Sequence, residues 1–317
     1  MDLYHNPDIG YKLISLQQLL GSIFSLSSLV PQKADLLIEV QIDKILNDED
    51  FAHIYEQIAV KNPDMPQTIS DALDQMQQEI IVNPRDFHEA LIFSHTSELT
   101  DFMDSFSYHD LPYYGALFKG SFGKTRALLT VGGDLVDRFQ HYDYMGIRVY
   151  EYREGQDVIF SFAFFNNEVA VTGSTSAVKD TIDVIRGEKQ SISGIIYDFY
   201  EGLGGNLIEI AYLVPGAQME QIPPAAYIDN YKISLHSLKA INIIGFAFSK
   251  IGSSITTGLY AYHSSQAATR DTNILLNNLT LIYLSKEEAL DPETRYLLDK
   301  IDIYDSDSVL SVEIIAQ

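Results

Sequence analysis

Cysteine is absent from the 317 residues, which excludes a disulfide framework, a thiolate zinc site and thiol catalysis. Tryptophan is absent too, so 20 Tyr and 16 Phe carry the aromatic content. Cations are scarce: 21 Lys and Arg against 44 Asp and Glu leave a formal charge of -23. Such an exterior repels polyphosphate and anionic membrane surfaces, so nucleic acid is not an expected partner. Long apolar runs are missing as well. The nearest approach, YKLISLQQLLGSIFSLSSLVP at 11–31, is broken by Gln17, Gln18 and its serines and is preceded by Asp2 and Asp8, so it reads neither as a signal peptide nor as a span.

Within that stretch Leu13, Leu16, Leu20, Ile23 and Phe24 follow helical spacing, which predicts an amphipathic N-terminal segment over residues 1–30. Leu16, Leu20, Ile23 and Phe24 are its candidate interface residues, expected to leave water on their own domain or on a neighbour. A native signal or lipid anchor, if the gene encodes one, would precede this chain.

With 46% hydrophobic residues the chain can build a sizeable core for one large or two ordinary domains. ADLLIEVQID (34–43) reads as a strand, and Asn47 to Asp50 cap a helix whose stripe is Phe51, Ile54, Tyr55 and Ile58. Ile69, Leu73, Met76 and Ile80 mark a second helix before the strand FHEALIFSH. YYGALFKGSFG is another strand, followed by a helix from Lys124. Residues 146–188 hold the clearest unit, three antiparallel strands turning at Gly155 and Asn166, then a helix capped by Ser174 or Thr175 and stopped by Gly187.

After GLGG at 202–205 the strand NLIEIAYLV echoes DLLIEV. GLYAYHSSQAATRDTNILL likewise echoes the strand-then-helix form of residues 115–129. Hairpin-linked strands with interspersed helices predict an α+β fold of mainly antiparallel sheet with helices packed on it. The expected division is a first half over 31–200 and a related second half over 201–317, with the strands near Asp35 and Asn206 in equivalent places.

Chemical motifs fail on spacing. GSFGKTRALL ends like a phosphate-binding loop, but the first Walker glycine falls on Phe118, so neither nucleotide binding nor a special role for Lys124 is expected. His88 and His95 are seven apart, and on a strand that odd separation sends them to opposite faces. Ser176-Ala-Val-Lys179 has the Ser-x-x-Lys form but lacks the companion motifs of penicillin-interacting enzymes, and Lys179 is expected on a solvent face. The acidic groups Asn47 to Asp50 and Asp305 to Asp307 read as a helix cap and a turn, without the ligand spacing of a calcium loop. No cofactor or metal site is expected; calcium is the one ion that the acidic surface gives reason to consider. Asn278-Leu279-Thr280 matches a glycosylation acceptor.

The run VPQKADLLIEVQIDKILNDEDF, then NPRDFHEALIF, YYGALFKGSFGKTRALL and FFNNEVAVTGSTSAVKDTIDVIRG, resembles a family of uncharacterised extracytoplasmic tandem α+β proteins of bacteria and archaea, many of them lipoproteins. The resemblance spans most of residues 30–190 and more loosely 206–317. It implies two related halves and a place outside the cytoplasm, and it supplies no catalytic residues. The chain departs from the lipoprotein members in having no cysteine to acylate, so a membrane would be reached only through a removed anchor or a partner. The expectation is a non-catalytic extracytoplasmic protein that binds a protein partner, self-assembles or serves in a cell-surface assembly. The alternative is a soluble binder of an apolar or lipid-like ligand, suggested by VIFSFAFF; an enzyme comes third.

Overall fold

The computed structural model describes residues 25–62, 65–79, 83–96, 112–131, 139–228, 231–284, 295–296 and 298–316. The fold is α+β with antiparallel sheet and helices packed on it. Two compact units are formed. The first runs to Ala34 and resumes over Ile42–Ile192, and the second takes Asp35–Gln41 together with Ser193–Gln317. Strand β1 (Leu36–Val40), expected in the first half, therefore belongs to the second unit.

In the first unit, helices α1 (Ile42–Leu46), α2 (Glu49–Lys61) and α3 (Ile69–Glu79) precede the sheet. Asp48 caps α2 by accepting from the amides of Asp50 and Phe51 at 3.0 and 3.2 Å, as short acidic side chains do at orphan donors. The predicted buried stripe of α2 is corrected: Ile54 and Ile58 stay 47% and 48% exposed, and Ala59 is the side chain that is buried. On α3, Met76 is likewise exposed.

The sheet strands of this unit are β2 (Phe87–Ser94), β3 (Tyr114–Gly120), β4 (Phe139–Tyr144), β5 (Ile147–Glu154), β6 (Asp157–Phe164) and β7 (Val169–Gly173), in the order β2-β3-β7-β6-β5-β4. The expected meander is present. Gly155 turns β5 into β6 with φ +64°, and the Asn166 side chain accepts from the amides of Glu168 and Val169 at 2.7 Å to close the next loop. Helix α4 (Gly123–Val131) follows β3, and α5 (Thr175–Arg186) follows β7. Ser174 caps α5, and Gly187 ends it in the left-handed region at φ +75°. Val178 and Ile182 of α5 are fully buried against the sheet.

The second unit adds α6 (Ile195–Leu203), β8 (Ile208–Leu213), α7 (Gly216–Glu220), the ribbon β9 (Ala225–Ile228) with β10 (Tyr231–Ser234), β11 (Ile241–Ile251), β12 (Ser254–His263), α8 (Gln266–Leu284), β13 (Ile301–Ser306) and β14 (Val309–Ala316). Its main sheet runs β13-β14-β12-β11-β8-β1. β1 and β8, read from sequence as equivalents in two halves, pair with each other antiparallel, Leu36 opposite Tyr212 and Val40 opposite Ile208.

Gly173 has φ +146°, and a Cβ there would press into the carbonyl oxygen of Tyr114, whereas one at Gly155 would meet nothing within 4 Å. Gly155→Ala should therefore cost about 1 kcal/mol from backbone strain alone, and Gly173→Ala about 3 kcal/mol or more from strain plus overlap. Urea unfolding of both variants checks this, and equal costs would contradict it.

Candidate functional site

In the second unit a cleft of about 700 Å³ lies between α8 and the segment 232–237. Ser265 starts α8 by accepting from the Ala268 amide at 3.3 Å. Thr269, Thr272 and Leu275 then turn inward and are buried. Two turns of the same helix leave Ile274 and Leu281 60% and 64% exposed beside the cleft. Opposite them stand Ile233, Lys232 and His236, and Asp271 is the one carboxylate of the described lining. An open trough with an apolar helix edge and a few polar groups can hold an amphipathic chain.

Behind the cleft, His263 is fully buried, and its Nε2 lies 3.0 Å from the Thr272 hydroxyl. Burial holds the imidazole below its usual range. The carbonyls of Ala261 and Ser308 favour the charged ring, yet Nδ1 makes no hydrogen bond, and burial wins. Because the folded pKa is depressed, the unfolded chain takes up the proton first as pH falls. This contribution to stability is full above about pH 6.5 and is lost on acidification below it. The wild type should lose more stability between about pH 7.5 and about pH 5.5 than His263→Gln does, read from urea midpoints. Equal losses would exclude His263 as the cause.

A second polar cluster of this unit follows from the β1–β8 register, which sets Glu39 directly opposite Glu209. Like charges in such a pair repel. Donors offset the repulsion: Glu209, 3% exposed, accepts from the Asn206 amide at 2.8 Å and from its side chain at 3.1 Å. Glu39 accepts from Gln41 at 2.7 Å and from the Tyr200 hydroxyl on α6. Tyr200→Phe should destabilise the protein by about 1–3 kcal/mol, measurable by urea unfolding; an unchanged midpoint would mean the hydroxyl is dispensable.

The first unit contributes an aromatic face. Side chains alternate across β6, so Ser161 and Ala163 point to the face that α5 covers, and Phe160, Phe162 and Phe164 point to the other. The rings connect across strands: Tyr150 stacks on Phe162 at 5.0 Å, Tyr152 on Phe160 at 5.4 Å, and Phe139 meets Phe162 edge-on at 5.2 Å. The chain of contacts continues through Phe164, Phe122 and Phe87 to Phe118 at one end and reaches His141 at the other. Phe139, Tyr152, Phe160, Phe162 and Phe164 are only half-buried.

The residues singled out by sequence fall as follows. Leu16, Leu20, Ile23 and Phe24 lie outside the described residues. Lys124 is exposed in the first turn of α4, and Phe118 is half-buried against Phe87 at 4.8 Å. The amides of Gly120, Ser121 and Phe122 donate to the carbonyls of Glu168, Asp86 and Asn167 at 2.8, 2.8 and 2.7 Å, leaving none of these three to a phosphate. His88 is exposed on β2, and His95 follows that strand. Ser176 is exposed, whereas Lys179, expected in open solvent, sits over the rings of Tyr142 and Tyr144 at 5.2 and 5.5 Å. Asp305 accepts from Asn273 of α8, and Asp307 takes the positive φ of a turn. Among the described residues no group of three His, Asp or Glu could hold a metal ion, and no helix is long and apolar enough to cross a membrane. The α8 edge was not singled out from sequence. Its signal is that ILLNNLTLIYL holds more apolar residues than one buried helical stripe can take.

No protein-family model matches the chain, and no curated protein matches it. Among solved structures, crystal form I of TP0453 is similar at a TM-score of 0.45 and 7% identity, covering 93% of this chain and 94% of that one. Crystal form III of TP0453 scores 0.46 at 9% identity, covering 93% and 95%.

Proposed function

We propose that this is a non-catalytic extracytoplasmic protein that binds a protein partner as part of a cell-surface assembly, and that the exposed edge of α8 is its docking surface. The observation that carries this reading is the pair Ile274 and Leu281, about two-thirds exposed on one helix beside an open cleft. Large apolar side chains aligned along a cleft mark an interaction surface more often than isolated ones do. The place outside the cytoplasm rests on the acidic, cysteine-free composition and on the family resemblance. Attachment to a membrane would come through the partner or a removed anchor. The reading requires no cofactor, nucleotide or nucleic acid. A second reading, an apolar or lipid-like ligand, is favoured by the size of the cleft, which falls in the range of about 300–1,000 Å³ usual for small-molecule sites.

The test is the mass of the native complex isolated from its own cells, with wild type compared to Ile274→Glu/Leu281→Glu. The double variant is expected to lose the partner's mass at unchanged melting temperature, while the wild type runs with its partner. A wild type that runs alone would overturn partner binding. If that free wild type releases a bound lipid on denaturing extraction, the second reading stands in its place.

A further inference from the structure

The first unit's sheet ends at β4, whose sequence is FQHYDY, and no strand pairs with its outer edge among the described residues. The β4–β5 turn is Met145-Gly146, both at positive φ, which makes a two-residue primed hairpin. In such a hairpin Tyr144 and Ile147 exchange backbone bonds, and so by alternation do Tyr142 with Val149 and Gln140 with Glu151. Phe139, His141 and Asp143 therefore turn their N–H and C=O groups outward, and the described residues provide no backbone partner for them.

Edge strands are usually blunted by charge, proline or a covering element. The outer strand of the second unit follows that rule: β13 carries Asp302 and Asp305, with Glu313 directly opposite Asp302, so a copy laid along it collects carboxylates. β4 is different. Its exposed edge carries one imidazole and one carboxylate, His141 and Asp143, two residues apart on the same face. A ring N–H donor and a carboxylate acceptor at that spacing are self-complementary under antiparallel pairing, because a two-fold axis beside Tyr142 sets His141 against the second copy's Asp143 and the reverse.

We infer that β4 is a homodimerisation edge, pairing antiparallel with β4 of a second copy so that His141 of each chain meets Asp143 of the other. Each such pair also exchanges the outward N–H and C=O groups that are otherwise left to water. His141 ends the aromatic network, 6.0 Å from Tyr150, so pairing makes the aromatic faces of the two first units continuous. Asp143 keeps its second oxygen for this contact, since Oδ1 already accepts from the Gly146 amide at 2.9 Å. This surface is separate from the α8 edge, and it holds or fails independently of the partner reading.

Sedimentation of the full chain at micromolar concentration tests the pairing. The wild type is expected at about twice 35.7 kDa. His141→Asp, which opposes two carboxylates, and Asp143→Lys, which removes the acceptor that faces His141, should each weaken the dimer by at least about tenfold in Kd. Mixed together they should recover it, because the carboxylate introduced in one variant then faces the ammonium introduced in the other, and the remaining pair is the native Asp143 against the native His141. A monomeric wild type, single variants that dimerise normally, or a mixture that stays monomeric would each overturn the inference. Should either charge reversal lower the melting temperature, His141→Gln and Asp143→Asn replace them, with weakening again expected. Ile274→Glu/Leu281→Glu should leave this dimer unchanged; if it abolishes it, the chains associate through α8 and the β4 edge is excluded.

Discussion

Asp35–Gln41 belongs to the second unit while the residues on both sides of it belong to the first, and this excursion of the chain fixes much else. β1 pairs with β8 among strands of this unit that otherwise come from beyond residue 193, and Leu37 at its centre is wholly buried. The antiparallel register leaves no choice about the next residue on that face: Glu39 must lie against Glu209. Two neighbouring carboxylates persist there only if donors surround them. Tyr200 supplies one from α6, and Asn206 supplies more from the loop that leads into β8. α6 is held by packing too, because Phe199 rests where Gly245 leaves room on β11. Backbone pairing, carboxylate solvation and helix placement are thus one arrangement in this unit.

Sequence is informative where the determinant is local. Asn166, Gly155, Ser174 and Gly187 each act on amides a few residues away, or through their own φ, so the meander and α5 follow from short-range chemistry. The pairing of β1 with β8 is not of that kind. Two short strands rich in Leu, Ile and Glu look alike in sequence, but that likeness does not say that they are neighbours; only the long-range register shows it. The α2 stripe failed for a related reason. Periodicity announces a helix and its apolar side, but it does not say which part of that side finds a neighbour, and Ile54 and Ile58 find little.

The candidate surfaces show the same division. Phe160, Phe162 and Phe164 are legible as one face from their period of two, whereas their ring partners Tyr150, Tyr152 and Phe139 come from strands whose register had to be seen. The phosphate-loop resemblance fails at both levels. Phe118 breaks the motif in sequence, and in space the loop amides are committed to carbonyls of distant residues. Lys124 is an exposed residue in a first helical turn.

A helix as short as α5 covers only part of one face of a six-stranded sheet, and the opposite face must find other cover or stay partly wet. Aromatic side chains suit a partly wet face, because neighbouring rings bury one another's surfaces and each contact adds roughly 0.5–1.5 kcal/mol beyond area burial. That accounts for a half-buried network of rings without a ligand. It does not account for Ile274 and Leu281, which touch no such network and stay largely in water on a helix whose other side is packed. Self-burial explains the first unit's aromatic face, whereas the α8 edge has no such cover among the described residues. Apolar surface left open in this way gains most from a partner that removes it from water, which sets the α8 edge apart from the ring network.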